Sequence, residues 1–182
     1  MRNNKGVTMM MLIITIIMLF ILISISVYNS QRTSSEAKFT SIYESLLNVK
    51  SACNNALNLI EVSYATGEDG DGEIIDEFYF FGNTVMQEGL DIVELKEKCG
   101  LPSDDSGSGD VLGSRTYLIE NTRDESDKRR LERLGINNLS IKVVADLDND
   151  KYYVYDGAKR KDDAYKVYEL NDFIKSYDTL VN

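Results

Sequence analysis

Three aspartates in the C-terminal part of the chain have the spacing of metal ligands. Asp146, Asp148 and Asp150 alternate along the sequence, as do the first three ligands of a calcium-binding loop. An EF-hand is excluded, because Lys151 stands at its sixth position in place of glycine and Gly157 at its twelfth in place of a bidentate glutamate. A looser calcium site and a solvated turn remain as interpretations, and the segment favours the turn.

Two other charged groups admit a plain and a functional interpretation. Glu68, Asp69, Asp71 and Glu73 form a second acidic group, for which a loose calcium site and a solvated loop are again the alternatives. The basic run from Lys159 to Lys161 is interpreted as a solvated hairpin tip, or as a contact with acidic surfaces of neighbouring subunits.

Catalytic chemistry has little support in the composition. The chain contains no histidine, which excludes Ser-His-Asp and Cys-His catalysis and most zinc sites. Its carboxylates have no partner base in the sequence, and no glycine-rich phosphate loop is present. We therefore predict that the protein is not an enzyme and that it needs no cofactor, the calcium alternative apart.

The two cysteines, Cys53 and Cys99, allow at most one disulfide. A pair in an exported chain can form a bridge, whereas two free thiols suit a cell that uses few disulfides. The sequence leaves both alternatives open, and it names these two residues as the disulfide candidates.

Charge is distributed unevenly along the 182 residues, whose formal net charge is −10. The only charged residues before position 32 are Arg2 and Lys5, both basic. The rest of the chain carries 18 basic and 30 acidic residues, a net charge of −12. Because so acidic a segment repels phosphates, we expect no direct binding to nucleic acid.

An apolar segment follows these two basic residues. Positions 7–27 contain 21 residues, all apolar except for two threonines and two serines. That length spans a bilayer as a helix, the one backbone state that satisfies its own hydrogen bonds in hydrocarbon. Arg2 and Lys5 then stay in the cytoplasm, and the residues after Arg32 lie outside, an N-in/C-out topology in the cell membrane.

Three interpretations of this segment compete. It is an uncleaved single-pass anchor, or a secretory signal cut at Ser24-Ile25-Ser26, or a prepilin-type signal cut after Gly6. The third has the most residues in its favour, because the leader at 1–6 is short and basic and ends in glycine directly before the apolar run.

The residues around this junction resemble the pilin-like proteins of Firmicutes. The family pattern is Lys-Gly-(Ile/Val)-Thr-Leu, two variable positions, and Leu-(Val/Ile)-Ile-Thr-Ile-Ile. The matching residues are Lys5, Gly6, Val7, Thr8, Leu12, Ile13, Ile14, Thr15, Ile16 and Ile17. Met9 replaces the first leucine of the pattern.

The resemblance implies a processing and assembly pathway. A prepilin peptidase would cut after Gly6, leaving Val7 as the new and N-methylated terminus. The helix, with Thr8, Met11 and Thr15 at its assembly positions, would pack against other pilin-like subunits in a type IV pilus, a type II secretion pseudopilus or a DNA-uptake fibre. The family carries glutamate at the fifth mature position, which is Met11 here. This departure favours a minor or atypical subunit over a main one.

An apolar stripe continues beyond the membrane segment at spacings of three and four residues, which predicts an amphipathic helix. Its members are Phe39, Ile42, Tyr43, Leu46, Val49, Cys53, Ala56, Leu57 and Ile60. Charged residues and asparagines lie off the stripe. A helix cap at Ser34 or Ser35 would break the helix near 30–35, and the alternative is one unbroken helix.

The remaining residues predict a small α+β domain, with a long helix packed on an antiparallel sheet. The expected strands lie at 115–120, 139–145, 151–155 and 165–170, and the expected helices at 90–99 and 124–134. The segment 73–81 is a strand or a helical turn, and 172–180 is a helix or a tail.

The predicted organisation has four parts: a leader at 1–6, a transmembrane helix at 7–29, an amphipathic extension at 30–64 and an extracellular domain at 65–182. The predicted protein is a membrane-inserted subunit of a surface fibre that serves adhesion, secretion or DNA uptake. The competing function is that of an anchored or secreted cell-surface binding protein unrelated to pili.

Overall fold

The computed structural model describes residues 5–66, 75–102, 112–121, 124–160 and 164–181. The chain divides into two compact units, Met1–Lys38 and Phe39–Asn182. Helix α1, Lys5–Thr66, contributes to both units. It passes through 30–35 without interruption, so a break there is wrong and Ser34 and Ser35 are internal helical residues.

Within the first unit, α1 is exposed along most of its described length, and its residues from 11 to 27 are mainly apolar. Every side chain from 11 to 34 is exposed, and the sequence contains no proline or glycine between positions 7 and 66 that would end the helix. The Thr15 hydroxyl donates to the Leu12 carbonyl at 2.8 Å, and the Ser24 hydroxyl donates to the Phe20 carbonyl at 2.7 Å. These two hydroxyls therefore need no partner outside the helix.

Within the second unit, α1 buries the predicted stripe. Leu46, Val49 and Cys53 are fully buried, and the other members of the stripe are buried or half-buried. This confirms the face that the spacing of apolar residues predicts. The same helix presents its asparagines and most of its charges to solvent.

The sheet is a four-stranded antiparallel meander with the strand order β1-β2-β3-β4. The strands are β1, Thr116–Ile119; β2, Val143–Asp146; β3, Lys151–Ala158; and β4, Val167–Glu169. The pairing of β3 with β4 is irregular between Tyr153 and Ala158. Asp156 and Gly157, both with positive φ, lie inside that irregularity.

Four further helices complete the second unit. They are α2, Glu77–Phe81; α3, Ile92–Lys98; α4, Glu125–Arg133; and α5, Leu170–Val181. α2 settles the ambiguous segment 73–81 as helical in its described part, because Asp76 caps it by accepting from the Tyr79 amide at 2.9 Å. α5 confirms the helical alternative for the C-terminal segment. The expected strand at 139–145 starts later, at Val143.

Hydrophobic clusters cover both faces of the sheet. Val143 and Ala145 of β2 join the cluster that contains the α1 stripe. Val144 joins a second cluster that contains Leu95 of α3. Successive strand residues point to opposite faces, so β2 is buried on both sides. This explains why Val144 interrupts the alternation of apolar and polar residues that a half-buried strand would have.

Candidate functional site

Asp146 of the predicted calcium loop is an internal structural residue. It ends β2 and is only 1% exposed. One carboxylate oxygen accepts from the Gly113 amide at 3.0 Å and from the Asn149 side chain at 2.7 Å. The other accepts from the Asn149 backbone amide at 3.2 Å. The carboxylate thereby holds the turn 147–150 and the segment before β1 together, and the solvated-turn interpretation is wrong for this residue.

The other two aspartates bind different groups. Asp148 accepts from the Ser114 hydroxyl and the Arg115 amide, each at 3.0 Å. The hydrogen bond from the Arg115 amide is the main cause that lowers the pKa of Asp148. Asp150 pairs with Lys50 of α1 at 2.6 Å. Among the described residues, no group of three or more histidine, cysteine, aspartate or glutamate side chains is arranged to hold a metal ion.

Removal of the Asp146 carboxylate is expected to destabilise the domain. In Asp146→Ala, three part-buried donors lose the buried carboxylate that accepts from them, which should lower the free energy of unfolding by about 2–4 kcal/mol. Urea unfolding followed by tyrosine fluorescence measures this loss. Asp172→Ala is the control, because among the described residues this exposed carboxylate pairs with exposed Lys175 alone, and its loss should cost less than about 0.5 kcal/mol. Equal losses in both variants would contradict the buried role.

A second polar network joins α2 to β1. Glu77 accepts from the Arg115 guanidinium with one oxygen and from the Tyr117 hydroxyl, at 2.7 Å, with the other. Burial, followed by the hydrogen bond to Glu77, raises the pKa of Tyr117. Asp148 lies 3.8 Å from the same guanidinium. This network pairs the Arg115 guanidinium with two carboxylates and fixes α2 on the sheet.

The two cysteines are free thiols in separate parts of the core. Cys53 belongs to the cluster that contains the α1 stripe, and Cys99 belongs to the cluster on the other face of the sheet. Burial raises the pKa of each thiol to about 12, and a hydrogen bond from Tyr152 offsets part of this effect at Cys53. Both thiols are therefore protonated and unreactive at neutral pH.

Both thiols should resist alkylation while the protein is folded, and alkali should destabilise the fold. Between the ordinary thiol pKa of 9.0 and the folded-state value of about 12, the unfolded chain releases protons that the folded chain retains. The free energy of unfolding must then fall as pH rises through this interval. Iodoacetamide labelling at pH 8 should be at least about 100-fold slower than at an exposed thiol. Ser41→Cys on α1 supplies that exposed control, and equal labelling rates would contradict the burial of both sites.

The remaining predicted charged groups are only partly described. The acidic group at 68–73 lies outside the described residues, as does Lys161. Lys159 is exposed, in agreement with a hairpin tip between β3 and β4. The Arg160 guanidinium lies 5.7 Å from the centre of the Phe39 ring, where it makes a cation–π contact. The Arg160 side chain therefore packs against α1.

The predicted processing and assembly residues lie at the start of α1. Lys5, Gly6 and Val7 are in its first turns, and the side chains of 5–10, including Thr8, lie outside the described part. Met11 is 69% exposed. Thr15 is exposed and its hydroxyl is used within the helix. No described residue outside α1 contacts Met11 or Thr15 through a hydrogen bond or an ion pair.

One property of α1 bears directly on location. The helix is long and apolar enough to cross a membrane, and the apolar stretch that qualifies it is entirely unburied in this structure. A membrane span and a signal sequence are both compatible with this finding. Comparison of the chain with protein-family models, with curated proteins and with solved structures found no match.

Proposed function

We propose that the protein is a pilin-like structural subunit, inserted in the membrane N-in/C-out and assembled through α1 into a type IV pilus or a pseudopilus that serves secretion or DNA uptake. The observation that carries the proposal is the form of α1. A single helix changes from an exposed apolar segment to an amphipathic one whose apolar face is buried in a small α+β domain. This form serves a subunit that is held first by lipid and then by other helices.

The exposed apolar segment must be shielded from water both before and after assembly. Large apolar side chains follow one another from Met11 to Ile25 with roughly half or more of their surface exposed. Burial of such side chains is worth about 1.5–3 kcal/mol each, so water is a poor environment for the segment. Lipid or packed helices remove this cost. The internally bonded hydroxyls of Thr15 and Ser24 suit both environments.

Charge supports the orientation. Arg2 and Lys5 precede the apolar segment, and basic residues favour the cytoplasmic side. The domain that would lie outside has a surplus of acidic residues. The Lys5–Gly6 junction supports cleavage by a prepilin peptidase on the cytoplasmic side, with Val7 as the mature terminus. Met11 in place of glutamate supports a minor or atypical position in the fibre.

Introducing a glutamate at position 11 should strengthen assembly. In the proposed fibre the free α-amine of a neighbour lies in an apolar environment, where an unpaired charge is costly and a carboxylate relieves that cost. Met11→Glu should therefore increase the amount of chain recovered in the sheared surface-fibre fraction severalfold. Met10→Glu is the control, because it adds the same charge one residue out of position and should decrease recovery.

The same shearing experiment tests the proposal itself. Mechanical shearing should release some of the native chain from cells as part of a high-mass assembly with other subunits. Retention of all the native chain in the membrane as a monomer, with no gain in Met11→Glu, would instead favour a single-pass surface binding protein.

A further inference from the structure

A groove of about 500 Å³ lies between α1 and the segment that follows α4. Ser45, Asn48, Ser51 and Asn55 line one wall, and Asn137 and Asn138 line the other. The four residues of α1 are three or four positions apart, so they form one helix face. That face lies beside the buried stripe, which places a row of amides and hydroxyls at the edge of the core.

The opposite wall is held by the core. Leu134, Ile136 and Leu139 are each more than nine-tenths buried. Gly135, with φ of +74°, reverses the chain at the end of α4. The Ile136 amide donates to the Leu131 carbonyl at 2.8 Å and fixes the turn. This wall of the groove is therefore anchored in the core through Leu134, Ile136 and Leu139.

The lining of the groove is polar and uncharged. No charged residue lines it, although 27% of the chain is charged. The side-chain amides of Asn48, Asn55, Asn137 and Asn138 make no hydrogen bond to any described part of the protein. Each amide offers two donor hydrogens and one acceptor oxygen. The groove thus presents both hydrogen-bond donors and hydrogen-bond acceptors, and it has no charged side chain that would favour an ion.

We propose that this groove binds a short, neutral oligosaccharide. Vicinal hydroxyls both donate and accept, as do asparagine amides, so a sugar can pair with both walls. The absence of lysine and arginine in the lining disfavours phosphates and acidic sugars, and the absence of carboxylates disfavours cations. A volume of about 500 Å³ lies within the range of small-molecule sites.

A peptide is the weaker candidate for the same groove. An extended peptide gains specificity from pockets that take alternate side chains. Here the apolar lining residues, such as Ala52 and Ile136, are more than nine-tenths buried and leave little apolar surface for such side chains. The inference is independent of the proposed role in a fibre, since it rests only on residues of the second compact unit.

The test is an NMR titration of the full chain in micelles of a detergent that has no sugar headgroup, with maltotriose and chitotriose as probes. The side-chain amide signals of the four groove asparagines should shift saturably, with a dissociation constant of about 0.1–1 mM. Asn48→Ala combined with Asn137→Ala should weaken binding at least about tenfold, because it removes amides from both walls. Asn54→Ala combined with Asn58→Ala is the control, because these exposed asparagines of α1 do not line the groove.

Three outcomes would overturn the proposal. The first is no saturable shift with either trisaccharide up to about 10 mM. The second is binding that the groove variant and the control variant weaken equally. The third is saturable binding of a neutral hexapeptide at the groove in the absence of sugar binding. All four substituted side chains are exposed, and an unchanged backbone amide spectrum verifies that the variants are folded.

Discussion

Leu46→Ala is expected to lower the free energy of unfolding of the second unit by about 3–5 kcal/mol. Leu46 is fully buried, in the same hydrophobic cluster as Val143 of β2 and Phe173 of α5. The substitution removes the apolar contacts of the side chain and leaves a cavity in a cluster that the sheet shares with α1, α2, α4 and α5. Urea unfolding of the full chain in micelles, followed by tyrosine fluorescence, measures the loss.

Leu47→Ala provides the matched control. Leu47 is the next residue on the same helix and is 38% exposed. The same substitution should cost less than about 1 kcal/mol here, because much of the side chain already contacts solvent. Similar losses at both positions would mean that α1 does not pack through the stripe that contains Leu46. A larger loss at Leu47 than at Leu46 would contradict the assignment of the buried face of α1.

Gly6→Leu is expected to abolish maturation of the chain. A peptidase that cuts after residue 6 must bring the backbone of that residue close to its catalytic groups, and only glycine lacks the Cβ that would obstruct this approach. The unprocessed chain would keep Arg2 and Lys5 at its terminus and would stay in the membrane. Immunoblots of the membrane and sheared fractions, with intact-mass analysis, measure both effects.

Val7→Ile on the other side of the bond should mature normally, because the family pattern admits either residue there. The pair of variants separates a specific effect at the glycine from a general effect of altering the junction. Normal maturation and normal surface recovery of Gly6→Leu would contradict the prepilin interpretation, whatever the result for Val7→Ile.

Periodicity made the main elements of the fold predictable. The stripe from Phe39 to Ile60 identified the buried face of α1, because spacings of three and four residues define one side of a helix. Turn residues between short β-rich runs identified the antiparallel meander. Gly100 and Gly135, both with positive φ, follow α3 and α4 where the sequence predicted that these helices stop.

The environment of Asp146 was not predictable from local sequence. Its buried carboxylate accepts a hydrogen bond from the amide of Gly113 at 3.0 Å, and Gly113 is 33 positions away in the sequence. One signal in the sequence could have indicated this environment. Asp146 ends a strand whose other residues are apolar, and a carboxylate that is buried there must accept hydrogen bonds from nearby donors. The aspartate spacing offered a ligand set and a solvated turn, and the turn was favoured, whereas the three carboxylates bind different partners within the fold.

Two other features were not predictable because they depend on the tertiary arrangement: that the two cysteines are free thiols, and that a groove forms beside α1. Cys53 and Cys99 lie on opposite faces of the sheet, which the sequence could not indicate because strand order and helix placement determine it. Asn48 and Asn55 were recognisable as residues off the apolar stripe. That they face Asn137 across a groove follows from the chain reversal at Gly135, a non-local feature.

The N-terminus of the mature native chain tests the central claim most directly. The protein should be isolated from the membrane and from the sheared surface fraction of its own cells and analysed by N-terminal sequencing and mass spectrometry. The proposed function predicts a chain that begins at Val7, with an added methyl group on its α-amine. An intact Met1 would show a simple anchor, a start at Val27 would show an ordinary secreted protein, and either result would contradict the pilin-like account.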